Sequence, residues 1–428
     1  AFEVNGDIDI IDCIFNSNKA KISTIYPECL SNGGALFFSD NITSKEPKSV
    51  TIKYCTFIDN EGTKGSSIYY HDDASSNTKL IIESCTFQNN GKVGQSQIWS
   101  YTKSFNFFNN TLGYNSTSQI DDTGEDFAIS LPTADLIDIS YCGFYNQQES
   151  VCHGGGFLYI NQASTSLVYD QTFNLNHLVF DGGNNFTSIN LVLPKLNRFV
   201  SNNVTISNQK SDNLLYQIHL SDDTTSGGST INLINWTFSG CQSTTKDGGG
   251  TGAMIFASQK ISFTSCRWED NYILDDNGGG MKISQNNQQM LEYFGCRFER
   301  NKAAKNGGAL YIDIRLNSIL TIQNCEFYNN QAGDQVGNYG GALYLTGTGS
   351  SNSQIDNTIF VENSAKNGHA LFIDNDIPII ITDSNNFTDN GKDSATHTIY
   401  NKSPNLTVGR PAFYYTAVPH SSYIFNYF

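Results

Sequence analysis

The sequence predicts an all-β protein, a right-handed parallel β-helix solenoid of about 12 to 13 coils of roughly 30 residues, with three short strands per coil. Three observations predict it. A Cys-x-Phe-x-x-Asn motif returns at a nearly fixed interval, a glycine cluster leading into a short apolar strand follows most copies, and no segment shows helical periodicity.

The first element of a coil is read at Cys13-x-Phe15-x-x-Asn18, Cys55-x-Phe57-x-x-Asn60, Cys85-x-Phe87-x-x-Asn90, Cys266-x-Trp268-x-x-Asn271, Cys296-x-Phe298-x-x-Asn301 and Cys325-x-Phe327-x-x-Asn330. Weaker copies stand at Cys142 to Phe144, Phe173 to Asn176, Phe238, Phe360 to Asn363 and Phe387 to Asn390. From Phe238 the aromatic recurs at 268, 298, 327, 360 and 387, steps of 27 to 33 residues. The second element is a glycine corner and the strand after it: Gly33 to Phe37, Gly154 to Tyr159, Gly278 to Met281, Gly307 to Tyr311, Gly340 to Tyr344 and Gly368 to Phe372. A third strand closes most coils, as at Ile319 to Ile322 and Ile379 to Thr382. One β-helix is expected over 1–410, with regular coils over 10–100 and 235–400. Coils over 102–235 are irregular, with loop insertions near Asp121 to Asp126 and Thr224 to Gly228, and 411–428 reads as a tail that folds back or caps.

Stacking the coils turns every motif position into a column, because equivalent strands lie about 4.8 Å apart. Alternation then places Cys296 and Phe298 inward and Arg297 and Glu299 outward. Trp268, Phe298, Phe327 and Phe360 form a buried stack, and Asn271, Asn301, Asn330 and Asn363 form a corner ladder of hydrogen-bonded amides.

The order of parts resembles the polymorphic outer-membrane protein repeats first described in chlamydial surface proteins, whose signature pairs Gly-Gly-Ala-(Ile/Leu/Val) with Phe-x-x-Asn. Gly307-Gly308-Ala309-Leu310 and Phe298-Glu299-Arg300-Asn301 match both halves, and copies cover 10–100 and 235–400. The resemblance implies a surface-exposed β-helix, an adhesin or passenger domain. The cysteine ahead of the phenylalanine lies outside the family's minimal pattern, and no terminal membrane barrel is recognisable in these residues.

Composition narrows the function classes. Hydrophobic residues make up 38% and charged residues 15%, too polar for a membrane bundle and too aromatic for disorder. No run is long and apolar enough to span a bilayer as a helix. A formal net charge of −16 repels a nucleic-acid backbone, so no nucleic acid is expected as a partner. The chain opens on Ala1 and reads as strand by Phe2, so a processed or excerpted sequence is expected.

Ten cysteines, Cys13, Cys29, Cys55, Cys85, Cys142, Cys152, Cys241, Cys266, Cys296 and Cys325, fit an oxidising compartment as disulfide candidates. Neighbouring coils would allow Cys55 to bridge Cys85, and one pair to form among Cys266, Cys296 and Cys325. The alternative is a column of buried free thiols. With no Cys-x-x-Cys and no Cys/His cluster, neither a metal nor a cofactor is expected. Sequons at Asn41, Asn109, Asn115, Asn185, Asn203, Asn235, Asn386, Asn401 and Asn405 permit N-glycosylation, though chance alone would place as many in so Asn-, Ser- and Thr-rich a chain.

The same fold class hosts polysaccharide lyases and glycoside hydrolases, so chemistry has to be argued from residues. Glycoside cleavage needs an acid and a base flanking one bond. The pairs Asp72-Asp73, Asp121-Asp122, Asp222-Asp223 and Asp275-Asp276 all sit in turn-like contexts, and the Asn-Thr-Asp, Gly-His-Gly and Arg-Ile-Lys motifs of polygalacturonases are missing. Arg267 and Arg297 stand beside Glu269 and Glu299, which predicts a salt-bridged lattice rather than a basic site. The seven histidines share no spacing suited to a metal or triad.

One feature exceeds structural need. The residue after the inward aliphatic of the glycine-corner strand is aromatic at Phe37, Tyr69, Trp99, Tyr159, Phe256, Tyr311, Tyr344, Phe372 and Tyr400, with Lys282 the exception. If Leu310 and Ile312 point inward, these rings form an exposed stripe suited to a partner; the opposite phase would bury them in the core. Together these readings predict a non-catalytic extracellular or cell-surface protein, an adhesin, a stalk or a filament subunit, with itself, other surface proteins or glycans as partners.

Overall fold

A computed structural model describes residues 2–4, 6–20, 32–40, 48–62, 64–71, 78–90, 96–114, 127–131, 136–146, 156–161, 173–182, 187–193, 198–211, 216–220, 230–243, 253–256, 260–285, 289–333, 338–347, 353–375, 379–391, 397–402, 406–408, 412–414 and 424–426. It is an all-β parallel solenoid, the fold class expected, with no helix among the described residues. The chain divides into two compact units, Ala1–Leu196 with Ser201–Thr205 and Gln217–His219, and Asn197–Val200 with Ile206–Tyr216 and Leu220–Phe428.

In the second unit one coil shows how the sequence makes the fold. Strand Met290–Phe294 alternates, with Leu291 and Tyr293 fully buried and Met290 and Phe294 exposed. Gly295 then turns the chain in the left-handed region at φ 60°, and strand Arg297–Glu299 carries Phe298 into the core. Arg300 makes a second left-handed corner at φ 53°, the short strand Lys302–Ala303 follows, and the glycine corner leads into Leu310–Ile314. Each strand pairs in parallel with its counterpart one coil on: Met290 opposite Ile319, Phe298 opposite Phe327 and Leu310 opposite Leu343. A single left-handed residue bends a strand without ending it, so the coil can turn and still present every amide to the next coil.

The glycine motif is explained position by position. The first glycine, Gly307 or Gly340, adopts φ 63° or 69°, where L side chains are strained. The second is needed for space: a Cβ on Gly308 would collide with the Gly341 carbonyl oxygen, and one on Gly341 with the His369 carbonyl oxygen. Coils approach closely here, and the next residue is an alanine, Ala309 or Ala342, fully buried.

The aromatic column fills the core of each unit. In the first unit Phe15, Phe57, Phe87, Leu112, Phe144 and Phe180 are in register. In the second, Phe238, Trp268, Phe298, Phe327, Phe360 and Phe387 follow one another. Rings stack face to face, 4.5 Å between Trp268 and Phe298 and 4.7 Å between Phe298 and Phe327. Strands Ala412–Tyr414 and Ile424–Asn426, within the segment read as a tail, pair in parallel with Asn386–Thr388 and Ile399–Asn401 and so continue the sheets.

Candidate interaction surfaces

The corner asparagines are used up by stacking. Asn301 Nδ2 donates to Asn330 Oδ1 at 3.0 Å and to the Trp268 carbonyl at 2.8 Å, while its own Oδ1 accepts from Asn271 Nδ2 at 2.9 Å. The same pattern links Asn330, Asn363 and Asn390, and Asn18, Asn60 and Asn90 in the first unit. Cys241 stands in this asparagine column, its backbone N–H donating to Asn271 Oδ1, so the tenfold cysteine pattern is two patterns.

The disulfide expectation is corrected for the cysteines described: Cys13, Cys55, Cys85, Cys142, Cys241, Cys266, Cys296 and Cys325 are free thiols. Each buried Sγ is committed along the column. Cys296 Sγ donates to the Phe263 carbonyl at 3.3 Å, and Cys325 Sγ accepts the Cys296 N–H at 3.4 Å. Asn110, Thr358 and Asn385 fill the same position in other coils and accept the same kind of N–H, so the column requires an acceptor, not a sulfur bond. Burial pushes the Cys85 and Cys142 thiols up to about 12 and those of Cys296 and Cys325 well above their ordinary value. Cys29 and Cys152 lie outside the described residues.

Outward, the salt-bridged lattice forms. Arg297 reaches Glu299 at 2.7 Å and Glu326 at 2.9 Å, and Arg300 clamps both oxygens of Asp270 at 2.6 and 2.8 Å while also meeting Glu299. The Arg300 hydrogen bond holds the Asp270 carboxyl below its usual range. Among the described residues no group of three or more His, Cys, Asp or Glu side chains could hold a metal ion, and no helix is long and apolar enough to cross a membrane.

The aromatic stripe has the expected phase and a different exposure. Leu310 and Ile312 are fully buried and Tyr311 points outward between them, half-buried. The rings then cover one another: Tyr311 on Tyr344 and Tyr344 on Phe372 at 5.0 Å, Phe372 on Tyr400 at 5.2 Å, and Tyr339 on Phe372 at 4.3 Å. Lys282, the exception, occupies the column position before Tyr311, held by Asp276 at 2.7 Å. In the first unit Phe37 stacks on Tyr69 at 5.4 Å, and Lys64 lies 4.2 Å above Trp99. Tyr69, Trp99, Tyr344 and Phe372 are buried, and Phe37, Tyr159 and Tyr400 are half-buried; the Phe256 side chain lies outside what is described. The expectation of an open stripe is therefore corrected. Parallel strands in register stack equal rings face to face, which leaves edges rather than faces toward solvent.

Residues 295–313 match the family model of the Chlamydia polymorphic membrane protein repeat. The match runs from the Gly295 corner through Cys296, Phe298, Asn301 and the Gly307-Gly308 corner to Asp313, part of one coil. This segment is similar to a polymorphic membrane protein repeat. The name of that repeat implies a membrane-surface setting for the proteins it describes. No curated protein matches the chain.

Departures from the repeat's own logic mark the remaining surface. The residue before the column position is left-handed in most described coils: Asp12, Ser84, Asn109, Asn203, Asn235, Ser265, Asn324 and Asn357 hold that corner with φ between 44° and 56°. Small polar residues suit it, because their side chains bond locally. Tyr54, Tyr141 and His177 replace them, at φ 55°, 56° and 54°. Tyr141 and His177 are consecutive in the first unit and stack at 4.4 Å with 8° between planes; Phe108 abuts Tyr141 edge-on at 5.4 Å. Tyr141 is 55% and Phe108 43% exposed, so this cluster, unlike the stripe, is open. Sequence reasoning missed it, although an aromatic or histidine directly ahead of Cys142 or Leu178, where other repeats place Asn or Ser, was the available signal.

The corner also accounts for sequons. Asn109, Asn203 and Asn235 are corner residues, and the threonine two places on, Thr111, Thr205 or Thr237, lies in strand beyond the corner, so the repeat template itself writes Asn-x-Thr. Asn386 is half-buried in strand Asn386–Thr388, and Asn401 is fully buried. Asn41, Asn115, Asn185 and Asn405 lie outside the described residues.

Proposed function

We propose that this chain is a non-catalytic β-helix displayed at the cell surface or outside the cell, where it acts as an adhesive stalk. The observation that carries the reading is the match of residues 295–313 to a repeat named for membrane proteins, set among coils that repeat its geometry. The chemistry supports it. The core asparagines bond to their neighbours one coil away, and described outward carboxylates such as Glu299, Glu326 and Asp270 are tied to arginines, an arrangement that stiffens a stack of coils. Stiffness at low sequence cost is what a stalk requires, since each added coil lengthens the molecule by about 4.8 Å.

Antibodies raised against the folded chain should label intact, unpermeabilised cells that make it, and beads coated with it should adhere to a host or sister surface. Labelling that appears only after permeabilisation would end the surface reading, and depolymerisation of pectin or alginate by the purified chain would replace it with an enzyme. Electron microscopy of unreduced material separates the two structural forms: single rods fit a stalk, and ordered fibres fit a filament subunit.

A further inference from the structure

We infer that the Phe108–Tyr141–His177 corner of the first unit is a binding site for a neutral oligosaccharide, an inference that rests on the adhesive reading and gives it a location. Tyrosine is a poor occupant of a left-handed corner, where eight other coils use Asn, Ser or Asp, so the structure keeps Tyr141 at the expense of backbone comfort. The side chain is not repaid by burial, being more than half exposed. Next to it, Gly143 opens a place on the following strand, and the Tyr145 ring folds back into the space a Cβ would fill. Val179, paired with Gly143 one coil on, adds an exposed apolar edge.

What surrounds the rings selects the ligand. The immediate neighbours in register and along the corner are Asn109, Ser140, Asn176 and Asn203, all neutral donors and acceptors. The nearest charges are already engaged or further out: Glu83, in register with Phe108, pairs with Lys53 at 2.7 Å, and Asp138 accepts from Ser140 at 3.1 Å. An aromatic centre bordered by amides and hydroxyls, with the nearest described carboxylates already hydrogen-bonded or ion-paired, matches a pyranose, which offers apolar C–H faces and a rim of hydroxyls. The size argues in the same direction. Two corner residues and the strand-end Phe108 span two coil steps, about 10 Å, a patch far short of the roughly 800 Å² per partner of a stable protein interface.

The test uses the full chain on an array of neutral and sialylated oligosaccharides, followed by calorimetric titration of the neutral oligosaccharide bound most strongly. Neutral ligands should bind, and the double variant Tyr141→Asn/His177→Asn, which restores the usual corner residues, should weaken binding at least tenfold while melting no lower than the parent. Tyr54→Asn relieves the same strain away from the cluster and should bind like the parent. Binding of charged glycans alone, equal binding by the double variant, or an N-glycan found on Asn109 or Asn203 of the native chain, where it would cover the rings, would each overturn the assignment. If the array stays blank while coated beads still adhere, the site falls and the adhesive reading stands; if adhesion is lost with the double variant, both are supported.

Discussion

At the scale of single residues, the corner column makes each of its asparagines from Asn271 to Asn363 both donor and acceptor to its neighbours. Truncating Asn301 to alanine strips partners from Asn271, from Asn330 and from the Trp268 carbonyl at once. Leaving such buried groups unpaired should cost about 3 kcal/mol, read as a drop in the denaturation midpoint of the full chain. Phe298→Ala removes a ring stacked on both sides and should cost about 3–5 kcal/mol, with Phe298→Leu recovering much of it. The thiols make a pH prediction. Cys85 and Cys142 titrate near 12 in the fold and near about 8.5 when unfolded. The folded state therefore holds protons that the unfolded state releases. Their contribution is complete below pH 8.5 and fades as pH rises toward 12, so denaturation midpoints should fall over that window and fall less in Cys85→Ala. In the native protein at pH 7.5 a water-soluble maleimide should leave Cys85 and Cys296 unmodified, and denaturant should open both to it, as peptide mass spectrometry would record. Rapid native labelling would mean that the columns open far more easily than their hydrogen bonds imply.

At the scale of the coil, corners decide more than strands. Gly308→Ala should be severe, because the new methyl meets backbone of the next coil rather than a movable side chain, whereas Gly113→Ala, with nothing nearer than the Phe87 carbonyl oxygen at 4.0 Å, should be tolerated; paired melting curves give the contrast. The sequence made the glycine corners legible, since Gly-Gly-Ala is turn chemistry on its face. It also announced the aromatic and asparagine columns, through residues such as Phe298 and Asn301 whose period is nearly constant. The left-handed corners were hidden, because Ser265, Arg300 and Tyr141 carry no turn signal by themselves and are forced there by pairing above and below. The cysteine column was half legible: Cys296 and Cys325 were placed in line, but Asn110 and Thr358 show that the position demands an acceptor, which no count of cysteines could reveal. The stripe from Tyr311 to Tyr400 was read with the right phase, and its closure by neighbouring rings lay beyond reach because coverage is a property of several coils together.

At the scale of the whole molecule, a solenoid should accept the loss of one complete turn. Deleting 267–296 joins Cys266 to Arg297 and seats Phe298 against Phe238, every column still in line. That variant should keep its β-sheet circular dichroism with a proportionally smaller denaturant slope, while deleting 267–281, half a turn, should abolish cooperative unfolding. The same tolerance has a hazard built into it. A coil that docks one turn too early during folding finds phenylalanine opposite phenylalanine and asparagine opposite asparagine, so local contacts hardly distinguish the right neighbour from the wrong one. What distinguishes them is the irregular coil: Trp268 among phenylalanines, Lys282 at the head of the tyrosines, Thr358 below the thiols. These exceptions act as index marks on an otherwise uniform thread, and a sequence perfected to its own consensus would lose count of itself.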